Sequence, residues 1–140
     1  MIIETTIDRI YPLYLALPEF ENQPSLAAIT ERIGADHLCI AYLVEEEPVG
    51  FKLGYALDES IFYSWIGGVD SAYRGRGIAG DLLRYQESWA RDRGFQSIAV
   101  KSMNRFIPMV QMLLAKGYQI DGFTPGASTR DHKIHFRKAL

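Results

Sequence analysis

Two arginines and three glycines fall within seven residues, Arg74-Gly75-Arg76-Gly77-Ile78-Ala79-Gly80. The segment follows the apolar run Ile61 to Val69 and leads into an amphipathic stretch. Glycine lets a chain turn tightly and lets a ligand approach the backbone. The first N–H groups of a helix have no intrahelical acceptor and lie at the positive end of its dipole. A diphosphate suits such a place, and Arg74 and Arg76 add local positive charge. An ordinary strand-to-helix turn needs less than this, and a strand, glycine loop and helix in that order is the setting the chemistry requires.

Gly75, Gly77 and Gly80 also spell G-x-G-x-x-G, the spacing of a dinucleotide fingerprint. That fingerprint wants an acidic residue roughly twenty positions on, at the end of the next strand, to hold ribose hydroxyls. The next strand ends at Lys101, and no Asp or Glu lies between Asp92 and Asp121. A nicotinamide or flavin site is therefore disfavoured.

Other chemistry-bearing side chains are sparse. Tyr63 is a candidate catalytic group, on a strand beside the glycine loop. A phenol titrating near ~10 is a poor base unless perturbed, and a packed strand aromatic is the simpler reading. Asp58 and Glu59 read as turn residues. Cys39 is the one cysteine, which excludes an intrachain disulfide framework and a Cys-rich zinc site. It reads as a small buried hydrophobe. His132 and His135 have no third ligand nearby in the sequence, so no metal site is expected.

The elements that must position these groups follow from periodicity. Ile2 to Thr6 reads as a strand, and Asp8 as the cap of a helix from about Arg9 to Leu17, with Pro12 near its first turn. Pro18 to Pro24 is a loop. Ser25 caps a helix that Gly34 stops. His37 to Glu45, Val49 to Leu57 and Ile61 to Val69 read as three strands of a meander, with turns at 46–48 and 58–60. A helix from Ile78 to Gly94 buries Ile78, Leu82, Leu83, Gln86, Trp89 and Ala90, and turns Arg84, Glu87, Arg91 and Asp92 outward. Then come a strand at Ser97 to Lys101 and a helix with the stripe Phe106, Met109, Val110, Leu113 and Leu114. Two last strands follow, Tyr118 to Phe123 and Lys133 to Arg137. Trp65 and Trp89 fall at core positions. The order β-α-α-β-β-β-α-β-α-β-β predicts an α/β (α+β) fold. Its central sheet is mixed and mostly antiparallel, with helices on both faces.

The 140 residues suit one domain, 1–140. Apolar residues make up 48% and charged residues 23%, ordinary for a packed core. The net charge of −2 gives no general attraction to nucleic acid or anionic lipid. Met1 to Ile10 lacks the pattern of a secretory signal, and no apolar run is long enough to span a bilayer. The expected location is the cytoplasm, with no nucleic-acid and no membrane partner.

With these motifs in place, the chain resembles the GNAT superfamily of N-acetyltransferases. The family's loop is Arg or Gln, two residues, Gly, one residue, then Gly or Ala, and Arg74 to Ala79 matches it. Val69 and Tyr73 also stand where members carry such residues. Lys101-Ser102-Met103-Asn104, followed by a helix that ends at Lys116-Gly117-Tyr118, is similar to the family's Asn-helix-Gly-aromatic element. The strand order agrees along essentially the whole chain.

The resemblance implies acetyl-CoA as co-substrate and no metal. It implies that Val69, Arg74, Gly75, Arg76, Gly77, Ile78, Ala79, Gly80 and Asn104 contact the coenzyme. It further implies that the strand ending at Val69 splays from the strand of Ser97 to Lys101, with the pantetheine arm lying along Ile66 to Val69. Gly67-Gly68 suits a bulge that opens the sheet there. The acceptor would be a small-molecule or peptide amine, bordered by the 18–24 and 124–130 loops, which show no clear charge preference. A homodimer through the last strands is compatible with their apolar face. Many relatives carry a tyrosine four residues before the glycine as an acid for the thiolate, where this chain has Leu113. Loss of that acid motivates an alternative from another class, a non-catalytic acyl-CoA-binding module.

Overall fold

The computed structural model describes residues 1–140. In chain order the elements are β1 (Ile2–Glu4), α1 (Ile7–Ala16), α2 (Leu26–Ile33), β2 (His37–Val44), β3 (Glu47–Ala56), β4 (Ile61–Val69), α3 (Ile78–Asp92), β5 (Ser97–Met103), α4 (Ile107–Ala115), β6 (Gln119–Thr124) and β7 (Lys133–Ala139). Single 3-10 turns occur at Ser71–Tyr73 and Thr129–Asp131. The order is the one periodicity predicts.

Local chemistry explains most element ends. The Ser25 hydroxyl accepts from the Ala28 N–H at 3.1 Å and caps α2, and Gly34 at φ 62 stops it. The start of α1 and the β2–β3 turn differ from expectation. α1 begins at Ile7 with Thr6 as its cap, and Asp8 lies inside the first turn, where its charge suits the helix dipole. Pro12 therefore sits within the helix. The β2–β3 turn is Glu45-Glu46, both left-handed at φ 50 and 69. Such a two-residue turn matches the twist of the strands it joins, so pairing resumes at Glu47, ahead of the Val49 start expected.

The seven strands form one sheet in the order β1-β2-β3-β4-β5-β7-β6. Every neighbouring pair is antiparallel except β4 with β5. α3 provides the crossover that a parallel pair needs. Strand alternation sorts the core onto two faces. Leu38, Ile40, Phe62, Ile98, Val100 and Phe136 pack with Leu82, Leu83, Ala90 and Leu113 on the face of α3 and α4. Cys39, Ala41, Phe51, Leu53 and Ile66 pack with Ile10, Tyr14, Ile29 and Ile33 on the face of α1 and α2.

One outward-facing residue is corrected. Glu87 is only 7% exposed. Its carboxylate accepts from the Tyr118 hydroxyl at 2.7 Å and from the Lys138 ammonium at 3.2 Å. Partners from two segments distant in the chain satisfy it, which is what a buried charge requires. Trp65 and Trp89 pack against the core but remain half-buried.

The sheet parts in the middle. β4 and β5 pair from Ile61↔Ser97 to Ser64↔Val100 and then stop. β4 stays on β3 as far as Val69↔Gly50, and β5 stays on β7 as far as Met103↔Lys133. From Trp65 to Val69, β4 therefore presents an edge with no strand beside it. No helix is long and apolar enough to cross a membrane.

Candidate functional site

The glycine loop closes one end of this parting. Gly75 and Gly77 take φ 77 and 80, the left-handed region. A Cβ at either would meet nothing within 4 Å, so glycine serves the backbone conformation and leaves the space before the loop open. The backbone N–H groups of Gly75 to Gly80 have no protein acceptor, and the next, Asp81 N–H, reaches Gly77 O at 3.0 Å. Consecutive free donors at the start of the fifteen-residue α3 form an anion cradle.

The two arginines differ from expectation in role. Arg74 Nε donates to the Val69 carbonyl at 3.0 Å, and Nη2 meets Glu19 Oε1 at 2.7 Å. Arg74 thus ties the loop to β4 and to the segment after α1. The Arg76 guanidinium lies 4.9 Å from the centre of the Tyr73 ring. A third cation was not read from sequence. A Cβ placed on Gly80 would lie 3.6 Å from Lys116 Cε and 3.8 Å from its Nζ, so the Lys116 ammonium overhangs the first turn of α3. Its signal is the Lys116-Gly117-Tyr118 end of α4, which the sequence reading takes as a helix stop and part of the Asn-helix-Gly-aromatic element without giving Lys116 a role.

The bulge expected at Gly67-Gly68 lies elsewhere. Leu53 faces Ile66 and Gly54 faces Ser64, so Trp65 is the extra residue. Gly67 and Gly68 pair regularly with Lys52 and Phe51. Their small size answers close approach: a Cβ on Gly68 would run into the Leu17 side chain, and one on Gly67 would lie 3.1 Å from Lys52 Nζ.

Where β4 and β5 part, the α3 face holds polar groups that the apolar patterning hid. The Ser64 hydroxyl and both amide atoms of Gln86 are buried without partners. Lys52 lies against Gly67 with little exposure, and burial lowers its pKa to about 8 against an opposing pull from Glu87. Unpaired buried polar groups are few in native proteins and call for an explanation.

The other face carries a cleft of about 320 Å³ beside Tyr63. Arg32, Tyr55, Lys101, Asp121, His135 and Arg137 line it, over a floor that includes Ala99. Registers Lys101↔His135 and Ala99↔Arg137 place these side chains together. Tyr63 is largely buried, and burial raises its pKa, with Tyr55 adding and Arg32 opposing. The phenol is therefore held neutral, further from a base and nearer to a hydrogen-bond donor. The 18–24 and 124–130 loops do not line this cleft.

The remaining candidates are bonded or packed within the protein. Asn104 Nδ2 donates to the Thr129 carbonyl at 2.9 Å. Cys39 is buried, and its thiol is pushed up to about 12, so it is inert at neutral pH. His132 Nδ1 accepts from the Gly126 N–H, and the His135 ring bonds Thr124 Oγ1 at 2.8 Å. Leu113 is buried in the core.

Residues 7–113 match the model of the acetyltransferase (GNAT) family. No curated protein sequence matches the chain significantly. Solved structures share its fold. A GNAT family acetyltransferase from Elizabethkingia anophelis with acetyl-CoA bound superposes with a TM-score of 0.79 at 16% identity, covering 100% of this chain and 97% of that one. Ard1 from Thermoplasma volcanium gives 0.83 at 17%, covering 100% and 97%. The aminoglycoside 6'-N-acetyltransferase from Enterococcus faecium gives 0.76 at 18%, covering 99% and 96%.

Proposed function

The chain belongs to the acetyltransferase (GNAT) family, and we propose that it moves an acetyl group from acetyl-CoA to a primary amine by direct attack on the thioester. The observation that carries this reading is a pair of backbone surfaces left open for a ligand, joined where Arg74 bonds the Val69 carbonyl. One is the run of free N–H groups from Gly75 to Gly80, and the other is the unpaired β4 edge from Trp65 to Val69. A diphosphate joined to an amide-bearing arm satisfies both.

In this reading Gly75, Arg76, Gly77, Ile78, Ala79 and Gly80 hold the diphosphate through backbone N–H groups, and Lys116 adds charge. Arg74 holds the loop in place. Val69 and the strand before it pair with the arm, and Asn104 contributes through its carbonyl end. Bound acetyl-CoA supplies an activated thioester. The chain's part is to orient that group and to place donors near its carbonyl oxygen, for which the irregular backbone at Trp65 is suited. The amine must be neutral to attack, so its proton must leave to water or a base. Tyr63, kept neutral, serves as a donor at the acceptor side.

Calorimetric titration with acetyl-CoA, followed by thiol release with an amine panel, tests this. Tight binding with turnover is the expected result. Binding without turnover for every amine would favour the alternative, a coenzyme-binding module that does no chemistry. No binding would overturn both readings.

A further inference from the structure

We propose that the acceptor amine also carries an acid group, as an amino acid does, and that the cleft beside Tyr63 binds that group. The proposal rests on the acetyltransferase reading above and names the substrate class of the same site.

The cleft gathers cations from three elements. Arg32 comes from α2, Lys101 from β5 and Arg137 from β7, and His135 stands beside them. The one carboxylate, Asp121, is engaged by Arg137 at 3.3 Å. Arg32 and Lys101 have no carboxylate partner. This excess of positive charge stands out in a chain whose net charge is −2.

Arg32 is fixed in place. Its guanidinium lies 4.0 Å from the centre of the Trp65 ring, and Nε donates to the Tyr55 hydroxyl at 3.0 Å. Both terminal nitrogens are left without a protein acceptor. A stacked guanidinium with free terminal N–H groups offers the two-pronged geometry that a carboxylate accepts. Lys101 Nζ lies 5.6 Å from the Tyr63 ring centre, which puts a second cation at the phenol.

Two consequences favour an acidic amine. A polycationic acceptor would meet like charge, whereas a carboxylate is attracted and oriented. The same positive field disfavours the protonated form of the amine, which helps it reach the neutral state that attacks. Tyr55 and Tyr63 form an aromatic wall with ring centres 5.5 Å apart, and Trp65 packs on Tyr55 at 5.8 Å. The volume of about 320 Å³ suits a small molecule. The chemistry balances as ordinary acyl transfer. Nitrogen bonds to the acetyl carbon, the carbon–sulfur bond breaks, the amine loses a proton and the coenzyme leaves as a thiol.

Thiol release should be measured for amino acids against their decarboxylated amines, and for spermidine and kanamycin. The acids should be favoured in kcat/KM by about tenfold or more, the scale of a charged hydrogen bond. Lys101→Glu should reverse that order, and Arg32→Gln should weaken it. A second readout avoids turnover: calorimetry of the N-acetyl amino acid on the coenzyme A-saturated protein, where Arg32→Gln should lose affinity. If acetyl-CoA binds and spermidine or kanamycin outperforms every acid, the acceptor proposal falls and the acetyltransferase reading stands. An unchanged preference in folded Lys101→Glu would also overturn it. If acetyl-CoA does not bind, both fall together.

Discussion

Arg74 Nε donates to the carbonyl of Val69 at 3.0 Å, joining the glycine loop to the last residue of the strand that feeds it. The same guanidinium is held by Glu19. This makes Arg74 a positioning residue, and the sign of one substitution separates that role from direct phosphate binding. Glu19→Gln and Arg74→Met should both weaken acetyl-CoA binding, because both loosen the loop. If Arg74 bound phosphate itself, releasing it from Glu19 would tighten binding. Calorimetry on the two variants decides.

Gly77 takes φ 80 with open space ahead of it. Gly77→Ala should cost about 1–2 kcal/mol of stability from the left-handed backbone alone. Gly77→Glu adds a carboxylate where the diphosphate would lie, and should abolish coenzyme binding in a folded protein. Undiminished affinity in folded Gly77→Glu would place the coenzyme elsewhere.

Lys52 carries a pH signature. Its pKa is lowered by burial from 10.5 to about 8. Below about pH 8 the amine is protonated in both folded and unfolded chains, and the burial cost is present in full. Between about 8 and 10.5 the unfolded chain holds more proton, so the stability contributed by this residue rises with pH. Lys52→Met should therefore be favoured most near pH 7, by a margin whose pH-dependent part is on the order of 3 kcal/mol. That advantage should shrink as pH approaches 10.5. Paired urea melts across this range measure the difference, which cancels the titration of tyrosines common to both chains. A gap independent of pH would mean that the amine is solvated.

Gly68 and Leu17 make a separable pair. A Cβ on Gly68 collides with the Leu17 side chain. Gly68→Ala should destabilise by about 1–3 kcal/mol, the usual cost of overpacking. Leu17→Ala in the same chain should recover part of that loss. A double-mutant cycle with no coupling would show that the close approach carries no energy.

The fold was legible where patterning and punctuation agree. Ser25 and Gly34 bound α2, β4 spans Ile61–Val69 as expected, and the glycine loop opens α3. Failures have physical reasons. Two glutamates adopt the left-handed turn at 45–46, which their identity does not announce. Glu87 is buried because Tyr118 and Lys138 arrive from far along the chain. The bulge at Trp65 is set by the register against β3, and Gly67-Gly68 reflects contacts from Leu17 and Lys52 instead. The anion loop is local in sequence and could be read there. The cationic cleft gathers α2, β3, β4, β5, β6 and β7, so no segment-by-segment reading assembles it.

The parting between β4 and β5 has a mechanical corollary. Four register pairs, Ile61↔Ser97 to Ser64↔Val100, rivet two blades of sheet at one end only. Whatever occupies the open end lies between Trp65 to Val69 on one blade and Lys101 to Met103 on the other, just beyond the riveted Tyr63. The molecule has the form of a forceps, closed at 61–64 and open towards Val69 and Met103.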